Sequence, residues 1–171
     1  KKNGYEVTET LKLDERTSHI PIVMLTAKAD QPSRIEGYKR GADAYLAKPF
    51  DQEELSVRLE KLWEIRQNLQ KRYQGNVTPA PTEDPVIQQE DTFITKVREL
   101  VIKHLDDTSY KVESLLQDLG ISRTNFHRKI KALTGKTPSH FIRAIRVAQA
   151  KTLLTESSDL QISEVAYAVG F

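Results

Sequence analysis

Between Asp118 and Glu156 the chain has no acidic residue, yet Arg123, Arg128, Lys129, Lys131, Lys136, Arg143, Arg146 and Lys151 all lie in that window. In 171 residues of formal net charge +2, this concentration is the electrostatic footprint of a surface that meets a polyanion. A run of Lys and Arg is also compatible with a solvated helix face, so spacing has to separate the two. A second pair suggests different chemistry. Thr26 offers a hydroxyl and Lys48 a point charge, each at the end of a short apolar run, and both suit a phosphoryl oxygen.

The elements that must position the cationic window follow from apolar spacing. Val112, Leu115, Leu116 and Leu119 repeat as a short amphipathic helix, which Gly120 ends by permitting a left-handed backbone. Ile121 plugs the turn and Ser122 caps a second helix with Phe126, Ile130 and Leu133 on one stripe, stopped by Thr134 and Gly135. The unit reads as helix-turn-helix. At about 100° per residue, Arg123, Thr124, His127, Arg128 and Lys131 share the outward face. Arg123, Thr124, His127 and Arg128 are the candidate base contacts, since arginine bonds guanine bidentately and a threonine methyl packs on thymine. Asn125, Lys129, Lys131, Lys136, Arg143 and Arg146 are the candidate phosphate contacts. Fifty positions on, Ile162, Val165, Ala166, Val169, Gly170 and Phe171 repeat Val112, Leu115, Leu116, Leu119, Gly120 and Ile121, which predicts a second helix-turn unit. Thr137 and Pro138 start the intervening helix, which is expected to run to about Leu154. Its length of about 25 Å lets it hold two recognition helices near one duplex turn apart.

Residues 115–133, then "GKTPSHFIRAIRVAQAKTLL" and "ISEVAYAVGF", resemble the DNA-binding domain of AraC/XylS-type transcriptional regulators. The resemblance implies a seven-helix domain with two helix-turn-helix units, of which this sequence supplies the first five helices. It also aligns Thr124, His127 and Arg128 with base-facing positions. Without the second recognition helix, weak and strongly salt-dependent DNA binding is expected.

Hydrophobic residues make up 38% of the chain, enough for packed cores, and the absence of cysteine excludes disulfides and thiolate metal sites. The four histidines lack zinc-site spacing, and no long apolar run or signal-like start occurs, so a cytoplasmic protein without membrane contact is expected. Residues 74–91 contain Pro79, Pro81 and Pro85 with four acidic and no basic residues, which predicts an interdomain linker. It separates residues 1–73 from a DNA-binding domain at 92–171, whose first helix is marked by Phe93, Val97, Leu100, Val101 and Leu105.

The front segment alternates as helix (4–13), strand (21–26), helix (33–40), strand (44–47) and a long helix from Asp51. Such α/β order implies a parallel sheet with ligands at the carboxyl ends of its strands, here Thr26 and Lys48. Pro49 can hold a cis bond that fixes the lysine. "PIVMLTAKAD", "GYKRGADAYLAKPF" and "DQEELSVRLEKL" resemble the second half of a response-regulator receiver domain, a flavodoxin-like fold. The resemblance implies that Thr26 and Lys48 sense a phosphoryl group, that Tyr45 is the aromatic switch, and that the last strand and its helices form a dimerisation face. The phospho-accepting aspartate and the acidic Mg2+ pocket belong to strands outside this sequence, and Asp14, Asp30 and Asp43 do not match them. No cofactor is therefore expected here, Mg2+ being needed only by a complete receiver. The strand at 21–26 is expected to show an open edge and an uncovered apolar face, completed by another chain or a longer parent, or else partly disordered. In the long helix Glu54 suggests a capping box, and the turns around Trp63 are available to a second subunit or to the DNA-binding domain.

The expectation is a partial α/β receiver followed by an all-α helix-turn-helix domain: a sequence-specific, non-enzymatic transcriptional regulator of a two-component phosphorelay, served by an upstream histidine kinase. A hybrid sensor kinase is an admissible parent. The alternative is a signalling interaction module whose basic face meets an acidic protein partner.

Overall fold

The computed structural model describes residues 2–74, 82–156 and 160–171, which fall into two units, Lys1–Leu69 and Gln70–Phe171. In the first, α1 (Gly4–Leu13) starts where the Asn3 side chain accepts the Glu6 N–H at 2.9 Å and the Glu6 carboxylate accepts the Asn3 N–H at 3.1 Å. This reciprocal pairing satisfies two donors that a helix start leaves orphaned. β1 (Val23–Thr26) and β2 (Ala44–Ala47) form a parallel two-stranded sheet with Val23 opposite Ala44 and Thr26 opposite Ala47. Between them lies α2 (Gln31–Lys39), capped by Asp30, and after them α3 (Gln52–Gln74), whose residues beyond Leu69 belong to the second unit.

The α/β order is the one expected, with local differences. β1 starts later than residue 21 because Pro21 has no N–H and Ile22 donates its own to the Asp43 carboxylate at 2.7 Å. α2 starts before residue 33 because Asp30 accepts the Ser33 N–H at 2.9 Å. At α3, Asp51 accepts the Glu53 N–H at 2.7 Å, while Glu54 faces Arg58 at 3.8 Å instead of closing a capping box. Ala44, Tyr45 and Leu46 are buried, whereas Leu25 of β1 is 47% exposed and the second edge of β1 has no strand beside it among the described residues. Asp14, Asp30 and Asp43 each serve local structure: Asp14 pairs with Arg16 at 2.5 Å, Asp30 caps α2, and Asp43 meets the buried Lys12 at 2.7 Å.

The second unit is all helix: the end of α3, α4 (Pro85–Lys103), α5 (Val112–Leu119), α6 (Arg123–Thr134), α7 (Pro138–Glu156) and α8 (Ile162–Ala168). Phe93, Ile94, Val97 and Val101 of α4 are buried with Leu115, Phe126, Ile130, Leu133, Phe141, Ile145, Val165 and Val169. At about 1.5–3 kcal/mol for each large side chain, this core is the main favourable term in the unit. Phe93 and Phe126 meet edge to face at 6.2 Å between centroids.

The linker expected at 74–91 needs correction. Gln74 ends α3, and α4 begins at Pro85, with Asp84 accepting the Val86 N–H at 2.9 Å. Residues 75–81, with Pro79 and Pro81, lie outside the described residues. The acidic character was misleading because Glu90 and Asp91 are neutralised by partners in the fold. Glu90 is buried against Lys129 at 2.9 Å, and Asp91 binds Arg72 through two hydrogen bonds of 3.0 and 2.5 Å.

Candidate nucleic-acid interface

The turn between α5 and α6 is built as the sequence pattern requires. Gly120 has φ 65°, and the Gly120 and Ile121 N–H groups donate to Gln117 and Leu116. Ser122 accepts the Asn125 N–H at 3.4 Å, and α6 ends at Gly135 with φ 73°. The fifty-residue repeat extends to these capping bonds. Gly170 has φ 77°, and the Gly170 and Phe171 N–H groups donate to Tyr167 and Ala166, the equivalents of Gln117 and Leu116. The repeat is imperfect at its first position: Val112 is half-buried but Ile162 is 81% exposed.

On α6, Arg123, Thr124, His127, Arg128 and Lys131 are exposed together, opposite Phe126, Ile130 and Leu133. The Arg123 guanidinium lies 3.1 Å from the Glu113 carboxylate, an exposed pair worth little in water and open to exchange for an anion. Asn125 and Lys136 are half-buried; Arg143 is exposed, with its guanidinium 5.8 Å from the Phe171 ring centroid. Lys111, which precedes the acid-free window and was missed for that reason, lines a cleft of about 540 Å³ together with Arg123 and Arg143. A smaller cleft of about 220 Å³ lies beside His127 and Ser139.

Two expected phosphate contacts do not stand. Lys129 is 2% exposed, paired with Glu90 and set 4.3 Å from the Phe93 ring centroid. Its position three residues after Phe126 and four before Leu133 places it on the inner stripe, so spacing already contained the signal. Arg146 is 7% exposed and donates to the carbonyls of Asp107 (2.8 Å), Tyr110 (3.2 Å) and Gly170. It follows Ile142 by one turn and Ile145 by one residue, both buried, and so faces the interior.

In the first unit the Lys48 N–H donates to the Thr26 carbonyl at 2.6 Å, which sets the two residues side by side at adjacent strand ends. The Lys48 side chain is exposed, the Lys48–Pro49 bond is cis, and Thr26 Oγ1 accepts the Lys28 N–H at 3.1 Å. Tyr45 is turned inward, its hydroxyl donating to the Lys28 carbonyl at 2.9 Å. Burial, then the neighbouring Tyr5 hydroxyl, hold its phenol above the ordinary value. A Cβ on Gly37 would lie 2.9 Å from the Tyr45 ring, so the close approach of α2 depends on that glycine. Thr26 and Lys48 bring a hydroxyl and a cation to adjacent carboxyl strand ends, whereas Asp43 lies at the amino end of β2 beside Ile22. No group of three or more His, Cys, Asp or Glu side chains placed to hold a metal ion occurs among the described residues.

Residues 1–60 match the response regulator receiver domain, and residues 115–171 match a helix-turn-helix domain. The chain joins a receiver segment to a helix-turn-helix domain. A histidine kinase of Formosa agariphila is 34% identical over 168 residues, 98% of this chain and 12% of that protein, so the match runs through both domains. The DNA-binding dual master transcriptional regulator RpaA of Synechocystis is 47% identical over 62 residues, 36% of this chain and 26% of that protein. The phosphate regulon transcriptional regulatory protein PhoB of Pseudomonas aeruginosa is 49% identical over 57 residues, 33% of this chain and 25% of that protein. The chain thus spans about an eighth of the kinase and about a quarter of each regulator. No solved structure matches. Among the described residues, no helix of this receiver and helix-turn-helix chain is long and apolar enough to cross a membrane.

Proposed function

We propose that the chain is the DNA-contacting part of a transcriptional regulator in a two-component phosphorelay, acting in the cytoplasm. The observation that carries this reading is the division of α6, with Arg123, Thr124, His127, Arg128 and Lys131 exposed on one face and Phe126, Ile130 and Leu133 buried on the other. Such a helix enters a major groove with its cations outward, Arg123, Thr124, His127 and Arg128 toward base edges, and Asn125, Lys131, Lys136 and Arg143 toward phosphates. Lys111 joins the phosphate set. The relation to a histidine kinase supports a parent in which kinase, receiver and regulator share one polypeptide. In the parent, Thr26 and Lys48 sense the phosphoryl group, Tyr45 and Pro49 respond to it, and receiver pairing raises the effective concentration of two DNA-binding units. Exposed Val57, Trp63 and Ile65 on α3 support such pairing.

Fluorescence anisotropy with a pool of labelled duplexes tests the reading. Binding should weaken steeply as salt rises, and Arg128→Ala should weaken it by about tenfold, near the low end of a lost bidentate base contact. Salt-insensitive behaviour, or no binding at all, would instead leave the basic face to an acidic protein.

A further inference from the structure

We propose that residues 70–73, the final turn of α3, position the recognition helix α6 and thereby set DNA affinity; this rests on the DNA-binding reading above. Gln70 Nε2 donates to the Ala132 carbonyl at 3.1 Å. Ala132 lies in the last turn of α6, where carbonyls lack intrahelical partners, and the N–H that would continue the ladder to it, that of Lys136, is directed to Thr134 Oγ1 at 3.2 Å. Gln70 is therefore a cap supplied from another helix. Its side-chain carbonyl also sits beside the terminating Gly135, 3.5 Å from where a Cβ would stand.

The same turn is held from below. Tyr73 is fully buried, its hydroxyl donates to Asp91 at 2.7 Å, and Arg72 forks the same carboxylate. Arg98 of α4 donates to the Tyr73 carbonyl at 3.4 Å. Asp91 is adjacent in α4 to Glu90, whose carboxylate pairs with Lys129 of α6. Two consecutive acids thus face two ways, Asp91 toward the end of α3 and Glu90 toward the recognition helix. Through Gln70 directly, and through the Asp91 and Glu90 pair indirectly, the orientation of α6 depends on a turn whose helix begins in the receiver segment. Residues 70–73 are positioning residues: none belongs to the exposed face that meets DNA.

The test uses the whole chain with Gln70→Met, which keeps volume and removes the donor, and Gln70→Lys, which restores one. Gln70→Met should weaken duplex binding roughly threefold to tenfold, the range for one net hydrogen bond, while the slope of log affinity against log salt stays unchanged because no phosphate contact is lost. Amide exchange at Leu133, Thr134 and Gly135 should quicken, and Gln70→Lys should reverse both effects. Wild-type affinity and exchange in Gln70→Met, or no recovery with lysine, would overturn the proposal. If the unaltered chain shows no salt-sensitive binding to duplex DNA, the functional reading fails separately, and exchange at the end of α6 still decides the role of Gln70.

Discussion

The two units bury their apolar surface in opposite ways. In the second, helices close around one another over a shared interior, and the most exposed large apolar side chains are Ile162 and Tyr167 of α8, with others scattered singly over α4 and α7. In the first, a sheet of two strands leaves Leu25 47% and Trp63 60% exposed, and Pro21, Val23, Leu59, Leu62 and Trp63 line an apolar groove. A strand completes its hydrogen bonds only through a neighbour, whereas a helix closes all but its terminal ones internally, so two strands leave open edges where helices leave only their ends. Stability in the second unit should therefore be sensitive to single interior residues, and in the first it should be insensitive to its exposed strand.

Lys129→Ala should give the largest loss. It leaves Glu90 charged and buried without its ion-pair partner, an arrangement that costs about 3–5 kcal/mol, read as a fall in the denaturant midpoint of the second unit. The double change Lys129→Met with Glu90→Leu should recover most of that loss, because removing both charges removes the desolvation cost as well. If the single variant melts like wild type, the interior of this unit is wetter than its packing implies, and the contrast between the units weakens.

The two repeat glycines give the next effect. A Cβ at Gly170 would stand 2.4 Å from the Leu105 carbonyl oxygen and 2.6 Å from Arg146, whereas at Gly120 it would meet nothing within 4 Å. Both have positive φ, so alanine is strained at either, but only at Gly170 does it also collide with backbone. Thermal unfolding should show Gly170→Ala losing about 3 kcal/mol and Gly120→Ala about 1 kcal/mol. Equal losses would mean that the turn after α8 can move aside.

Much of this architecture was legible in the sequence. Helical periodicity, Gly120, Ser122 and Gly135 located α5, the turn and α6, and the outward face of α6 followed from 100° steps. The errors came from reading charge without phase. By residue type alone Lys129 and Arg146 belong with the DNA contacts, but the positions of Phe126, Leu133, Ile142 and Ile145 place both on interior stripes. Glu90 precedes Phe93 by three and Ile94 by four, so the stripe of α4 already carried it inward, but three prolines and a run of acids suggested a linker. The pairings Gln70 with Ala132 and Arg72 with Asp91 join residues far apart in sequence, and no local pattern announces them.

A smaller effect concerns pH. Burial raises the Asp91 carboxyl, but hydrogen bonds from Arg72 and Tyr73 and the charge of Arg72 outweigh it and hold the group below its ordinary value. A depressed carboxylate stabilises the fold above its unfolded value of about 3.9, and that contribution is lost as pH falls through the lower folded value. Denaturant midpoints measured from neutral pH down into this acid range should therefore decline, and Asp91→Asn should flatten the decline while lowering stability at neutral pH. An unchanged profile would detach Asp91 from the stability of the second unit.

Leu25→Lys should have the smallest effect of all. Leu25 alternates with Met24 and Thr26 on a strand whose far edge carries no neighbour among the described residues, and nearly half of its surface meets water already. A lysine there keeps its aliphatic stem on the sheet and places its charge in solvent, so the first unit should change by no more than about 0.5 kcal/mol in chemical denaturation. The same charge at an open strand edge should oppose edge-to-edge association and lower any concentration dependence of light scattering. A loss of several kcal/mol would mean that this face of the strand is covered in solution, and the first unit would then resemble the second in how it closes its core.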